Sequence, residues 1–161
     1  MLCGKKERSL KRYYDYAAFI ADLRALAIGL KAERIDCVIA VSRGGLTFAH
    51  FLAMALDMRN VALIRAVSYS GREKLSAPQI QNAPDLSGVK YALIVDEIID
   101  SGETMKAVLS ALSDRYPATV FKTAALFQKP SASIRADFFA RESDEWIDFF
   151  WEIDPTKSVI K

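Results

Sequence analysis

Histidine and cysteine are scarce in this sequence, with one His and two Cys among 161 residues. Two cysteines, Cys3 and Cys37, are too few for a disulfide framework. Cys37 lies in an apolar run, where packing is its expected role. His50, the sole histidine, has nothing near it in sequence that suggests a triad or a metal site, and is read as a packing or surface residue. No apolar run approaches the roughly 20 residues needed to span a bilayer. The basic residues Lys5, Lys6, Arg8, Lys11 and Arg12 lead into no apolar leader segment, so no signal peptide is expected. A net charge of +2 gives no case for a nucleic-acid partner. Internal repeats, low-complexity tracts and signs of a second domain are also missing. The expected setting is a reducing cytoplasm, with no membrane partner.

What is present describes an ordinary globule, 52% apolar and 26% charged, long enough to bury a core as a single domain over 1–161. Residues 1–12 form a basic, weakly patterned lead-in, read as a solvated tail. From Tyr14 to Lys31 apolar residues recur at spacings of three and four, which predicts an amphipathic helix. Residues 36–41 predict a buried strand, Thr47–Leu56 a helix, and Val61–Tyr69 a third element, again a strand. Residues 70–88 lose their periodicity and hold Gly71, Pro78, Pro84 and Gly88, so a functional flap or an irregular loop is expected there. A helix follows over Glu103–Tyr116, stopped by Pro117, and then a strand over Phe121–Gln128. Strands alternating with helices predict an α/β fold: a mostly parallel, twisted sheet flanked by helices, with its site at the C-terminal strand ends. The aromatic tail 137–152 is expected to form a small C-terminal hood above that site.

The chain is organised around Val89–Met105. An apolar, β-branched run predicts a buried strand that passes through Asp96, Glu97 and Asp100 into Ser101, Gly102, Glu103 and Thr104, where a helix begins. Glycine allows close backbone approach, and the new helix N-terminus presents free N–H groups and a favourable dipole to an anion. Acids directly before such a cradle suit polyol hydroxyls or Mg²⁺, so a sugar phosphate fits. A second turn, Ser42, Arg43, Gly44 and Gly45, also joins a strand to a helix and makes a second anion cradle. Strand–acid–turn–helix also occurs where Asp or Ser is only an N-cap.

The string VDEIIDSGETM resembles the 5-phosphoribosyl-1-diphosphate (PRPP) motif of type I phosphoribosyltransferases, and VSRGGL resembles the pyrophosphate loop of the purine branch. Trp146, Ile147 and Asp148, with Trp151 and Glu152 shortly after, resemble the base-binding end of bacterial xanthine–guanine phosphoribosyltransferases. The match covers roughly residues 36–152 through four motifs in order. The resemblance implies a type I phosphoribosyltransferase fold, a non-proline cis peptide at Ser42–Arg43, and Mg²⁺-dependent transfer of phosphoribosyl from PRPP to a 6-oxopurine. It implies that Ser42, Arg43, Gly44, Gly45 and Arg72 hold the diphosphate, with Ser68 and Tyr69 at the root of a closing hood over 70–88. Asp96 and Glu97 would hold the ribose hydroxyls and metal, and Asp100, Ser101, Gly102, Glu103 and Thr104 the 5-phosphate. Asp100 would be the acid–base group, Lys129 would read the purine 6-oxo group, Trp146 would stack and the Ile147 backbone would read the opposite edge. Glu152 stands where that subfamily usually has a metal-associated aspartate, and Glu97 where it has a second aspartate. The family assembles as homodimers or homotetramers. Two alternatives stay open: a PRPP- or nucleotide-sensing regulatory protein of the same fold, and a transferase for another nucleobase.

Overall fold

The computed structural model describes residues 11–70 and 73–152, without the side chains of 68–76. In chain order the elements are β1 (Lys11–Tyr14), α1 (Tyr16–Leu30), β2 (Cys37–Ser42), α2 (Gly45–Ala55), β3 (Val61–Ser70) and β4 (Glu73–Gln81). They continue with β5 (Tyr91–Ile99), α3 (Glu103–Arg115), β6 (Val120–Gln128), β7 (Phe138–Glu142) and β8 (Trp146–Phe149). Six strands form one sheet in the order β4-β3-β2-β5-β6-β7, parallel throughout except for β4. The chain runs outward from β2 to β3 on one side and from β5 to β6 on the other. The crevice between β2 and β5 is therefore the switch point where open α/β sheets place ligands.

The central strands are apolar on both faces and serve two core layers. Val38, Ala40, Leu93, Val95, Ala124 and Leu126 pack beneath α1 and α2 with Phe19, Leu23, Phe48 and Leu52. Their strand neighbours Ile39, Val41, Ala92, Ile94 and Ala125 face the other way, against Met105, Val108 and Leu112 of α3. This period of two within an apolar run explains why such strands show no alternation in sequence. Asp15 caps α1 by accepting a bond from the Ala18 N–H at 2.8 Å. No described helix is long and apolar enough to cross a membrane.

Three expectations are revised. The stretch read as losing regular structure holds β4 over residues 73–81, paired antiparallel with β3 across a register shift between Val67 and Tyr69. Pairing with β3 supplies what its own mixed sequence lacks in apolar pattern. The solvated lead-in ends two residues early, because Lys11 and Arg12 begin β1 and align in parallel with Trp146 and Ile147 of β8. The tail 137–152, expected to form a hood, divides instead: β7 joins the edge of the main sheet, and β8 pairs with β1 in a two-stranded ribbon. The ribbon is pinned to the body by Tyr14, which is fully buried with its ring edge-on to Phe127 at 4.8 Å. The Tyr14 hydroxyl donates to Asp22 at 2.6 Å, and Arg141 donates to the same carboxylate through Nε at 2.7 Å. Burial, reinforced by the Asp22 bond, pushes the Tyr14 phenol far up from its ordinary range. The residue is a structural pin. Cys37 is buried and its thiol is likewise raised, mainly by burial, while His50 is exposed against Phe51.

Candidate active site

The end of β2 turns into α2 through Ser42, Arg43 and Gly44, and the Ser42–Arg43 peptide is cis, as the resemblance implied. Arg43 is exposed. Gly45 lies hard against β5: a Cβ there would sit 2.5 Å from the Val95 carbonyl oxygen and 3.1 Å from the Asp96 Cα. Gly44 instead faces a side chain, since its Cβ would overlap the Glu97 carboxylate. The diphosphate-type turn and the acid pair therefore meet across the switch point. Arg43 and Leu46 share a hollow of about 580 Å³ with Leu63, Arg65, Ala66 and Val67 of β3. Arg65 aligns with Ser42 in the sheet and escaped the sequence reading, because nothing in a strand pattern reveals its neighbour.

At the end of β5, Asp96 accepts a bond from the Glu97 N–H at 3.0 Å. Burial pushes the Asp96 carboxyl well above the usual carboxylate range, and the adjacent Glu97 carboxyl raises it further. Oε2 of Glu97 is buried with no hydrogen-bond partner among the described residues. A buried carboxylate oxygen lacking a donor suits a cation better than it suits apolar surroundings. The Glu152 carboxyl is also raised, first by burial and then by Asp148 and Glu97.

Beyond the acids, the chain reaches α3 through Gly102, which adopts φ +89° and supplies no side-chain cap. Asp100 is therefore not the cap. It is exposed and pairs with Lys129, Nζ to Oδ1 at 2.5 Å. The Glu103 N–H makes a long contact to Ser101 Oγ at 3.4 Å in the first turn of α3. Thr104 is partly buried in the same turn.

Lys129 follows β6 directly, its N–H bonded to the Ile99 carbonyl at 2.9 Å. Gln128 before it is fully buried. Its Oε1 accepts from the Ala136 N–H at 3.0 Å, while its backbone carbonyl accepts from Ser143 at 3.1 Å. One glutamine thus holds both the loop after Lys129 and the turn before Trp146. A polar residue closing an apolar strand was the only sequence signal for it. A cavity of about 150 Å³ brings together Glu97, Asp100, Lys129, Trp146, Ile147 and Glu152, with Ile98, Glu145 and Phe149 also in its wall. Trp146 keeps 57% of its surface exposed, unlike buried Ile147 beside it. Among the described residues β8 pairs with β1 alone, so its other edge has backbone groups outside any described ladder. Arg72 lies outside the described residues, as do the side chains of Ser68 and Tyr69.

Known proteins are similar to this chain in sequence and in fold. A family profile described as a phosphoribosyl transferase domain matches residues 9–159. A xanthine-guanine phosphoribosyltransferase of Cereibacter sphaeroides is 34% identical over 144 residues, covering 82% of this chain and 81% of that protein. Among solved structures, a Helicobacter pylori xanthine-guanine-hypoxanthine phosphoribosyltransferase is 40% identical with a TM-score of 0.81, covering 89% of this chain and 95% of that one. A purine phosphoribosyltransferase of Pyrococcus horikoshii gives 30% and 0.77, covering 91% and 97%. With the profile spanning nearly all of its length and a mostly parallel sheet that ends in two glycine turns, this chain belongs to the phosphoribosyltransferase family.

Proposed function

We propose that this chain transfers the 5-phosphoribosyl group of PRPP to a 6-oxopurine (guanine, xanthine or hypoxanthine), releasing pyrophosphate, with Mg²⁺ and in purine salvage. The observation that carries this reading is the cavity in which Asp100, Lys129, Trp146 and Ile147, from three separate parts of the sequence, line one space beside the α3 N-terminus. In the reaction a purine nitrogen bonds to C1 of the sugar as the bond from C1 to the diphosphate breaks. The sugar becomes oxocarbenium-like, and the leaving diphosphate gains negative charge.

Each residue has a role that its chemistry supports. Asp100 takes the proton released by the attacking purine, or holds one against the imidazole part of the base. Lys129 has three donors and no acceptor, so it favours a 6-oxo group and rejects the amino group of adenine. Trp146 stacks on the base, worth about 1–3 kcal/mol, and the Ile147 backbone reads the opposite edge. Ser42, Arg43, Gly44 and Gly45, joined by Arg72, hold the diphosphate. Asp100 to Thr104 hold the 5-phosphate, so both ends of the sugar are fixed. The flap over residues 70–88 closes over the centre and excludes water.

Asp96 and Glu97, joined by Glu152, are the residues that would hold Mg²⁺, which supplies charge neutralisation at the diphosphate when bound. The orphaned Glu97 oxygen and the mutual repulsion of Glu152, Asp148 and Glu97 support this assignment, because a cation relieves both. Mg²⁺ requires only one or two carboxylates beside substrate oxygens. No ready cluster of three His, Cys, Asp or Glu ligands occurs among the described residues. Tyr16 and Ile28 of α1 stay exposed, apolar surface compatible with a homodimer or homotetramer.

The test is the initial rate of PRPP consumption with Mg²⁺ and guanine, xanthine, hypoxanthine or adenine, repeated with Asp100→Asn. We expect turnover of 6-oxopurines, none of adenine, and a loss of about 10²–10⁴-fold in the variant. Silence across the panel with PRPP still bound would favour a sensing protein. Turnover of adenine would overturn the role given to Lys129.

A further inference from the structure

The phosphate-type turn is braced from behind by a residue that no motif contains. Ser133 follows the short turn that begins at Lys129, whose carbonyl accepts from the Ala132 N–H at 3.0 Å. Its own N–H donates to the Ser101 carbonyl at 2.9 Å, and its hydroxyl donates to the same oxygen at 2.7 Å. Glu103 Oε1 lies farther from that hydroxyl, at 3.0 Å. A hydroxyl has a single proton, so the nearer carbonyl is its acceptor.

Two donors on one carbonyl fix the plane of the Ser101–Gly102 peptide. In a trans peptide the carbonyl and the following N–H point in opposite directions. Holding the Ser101 carbonyl toward Ser133 therefore aims the Gly102 N–H away from Ser133. Gly102 packs closely on the braced side: a Cβ there would meet Ser133 Oγ and Ile134 Cγ2, each at 2.9 Å.

We propose that Ser133 is a positioning residue for the 5-phosphate cradle, orienting the Ser101–Gly102 peptide from the same turn that presents Lys129 to the base. The inference rests on the proposed PRPP reading and names a residue which that reading does not use. Ser133→Ala keeps the backbone bond and removes the hydroxyl with its contacts to the Ser101 carbonyl and Glu103, and Ser133→Thr restores a hydroxyl.

Titration calorimetry with ribose 5-phosphate and, separately, with pyrophosphate tests it, alongside steady-state constants for PRPP and guanine. Losing one hydrogen bond to the cradle should weaken ribose 5-phosphate and raise KM for PRPP by about three- to tenfold. Pyrophosphate affinity and KM for guanine should stay within about twofold, and the Thr variant should recover the loss. Unchanged ribose 5-phosphate affinity in Ser133→Ala would overturn the proposal while leaving the function intact. Equal losses for ribose 5-phosphate, pyrophosphate and guanine would also overturn it, showing a general loosening. A wild-type chain that binds neither ribose 5-phosphate nor PRPP would remove the functional reading and this inference with it.

Discussion

The two glycine turns look alike in sequence, each a strand followed by small residues and a helix, yet their glycines answer different demands. Gly45 is needed for space, because the backbone of β5 runs directly beside it at Val95 and Asp96. Gly102 is needed for conformation first, with φ at +89°, and its neighbours are side-chain atoms of Ser133 and Ile134 together with the Ile134 nitrogen. One turn is built into the sheet, whereas the other leans on a loop. A turn fused to strand backbone has little freedom to adjust, while a turn backed largely by side chains can be tuned by them.

The largest stability effect should come from Gly45→Ala. Its methyl meets backbone that cannot rotate away, so α2 must shift from β5 at a cost of about 1–3 kcal/mol. A drop in Tm of about 2–4 °C per kcal/mol should accompany loss of pyrophosphate binding. An unchanged Tm would erase the distinction between the turns. Gly102→Ala should cost less, about 1–2 kcal/mol for the left-handed backbone, because the Ser133 and Ile134 side chains can move aside. Its signature should be a raised KM for PRPP, read by steady-state kinetics, with pyrophosphate affinity retained.

Asp96→Asn probes the acid pair between the turns and should change stability least. The folded state holds the Asp96 proton to higher pH than the unfolded chain does. The associated stability is therefore complete below about pH 4 and declines as pH rises through the elevated range. Asparagine removes that decline. Melting curves recorded without Mg²⁺ should coincide at acid pH, and the variant should melt higher at neutral pH. A variant that melts lower at neutral pH would show that the charged carboxylate is held by partners rather than penalised by burial.

Contiguity decided what the sequence could disclose. Both turns, the acid pair and the strands β2, β5 and β6 are legible because each is a run of adjacent residues with a physical signature. The helices were equally plain, down to the burial of Phe19, Leu23 and Leu26 at helical spacing. β1 and β8 are four residues each and exist by pairing with each other, and β4 exists by pairing with β3. Gln128 and Ser133 owe their importance to partners elsewhere in the chain, Ser101 lying 32 residues before Ser133. Trp146 was legible through resemblance alone. Its exposure shows that the surrounding aromatics fill the core without it.

The β1–β8 ribbon carries a consequence for the order in which the molecule comes into being. Its strands flank nearly all of the main sheet in sequence, and the brace between Asp22 and Arg141 spans 119 residues. Contacts of such long separation close last, after the loop entropy between them has been overcome. During synthesis both glycine turns emerge before Trp146 does. The half of the site proposed to grip the sugar phosphate therefore takes shape on the ribosome first. The half proposed to choose the base is added when the last strand returns to meet the first.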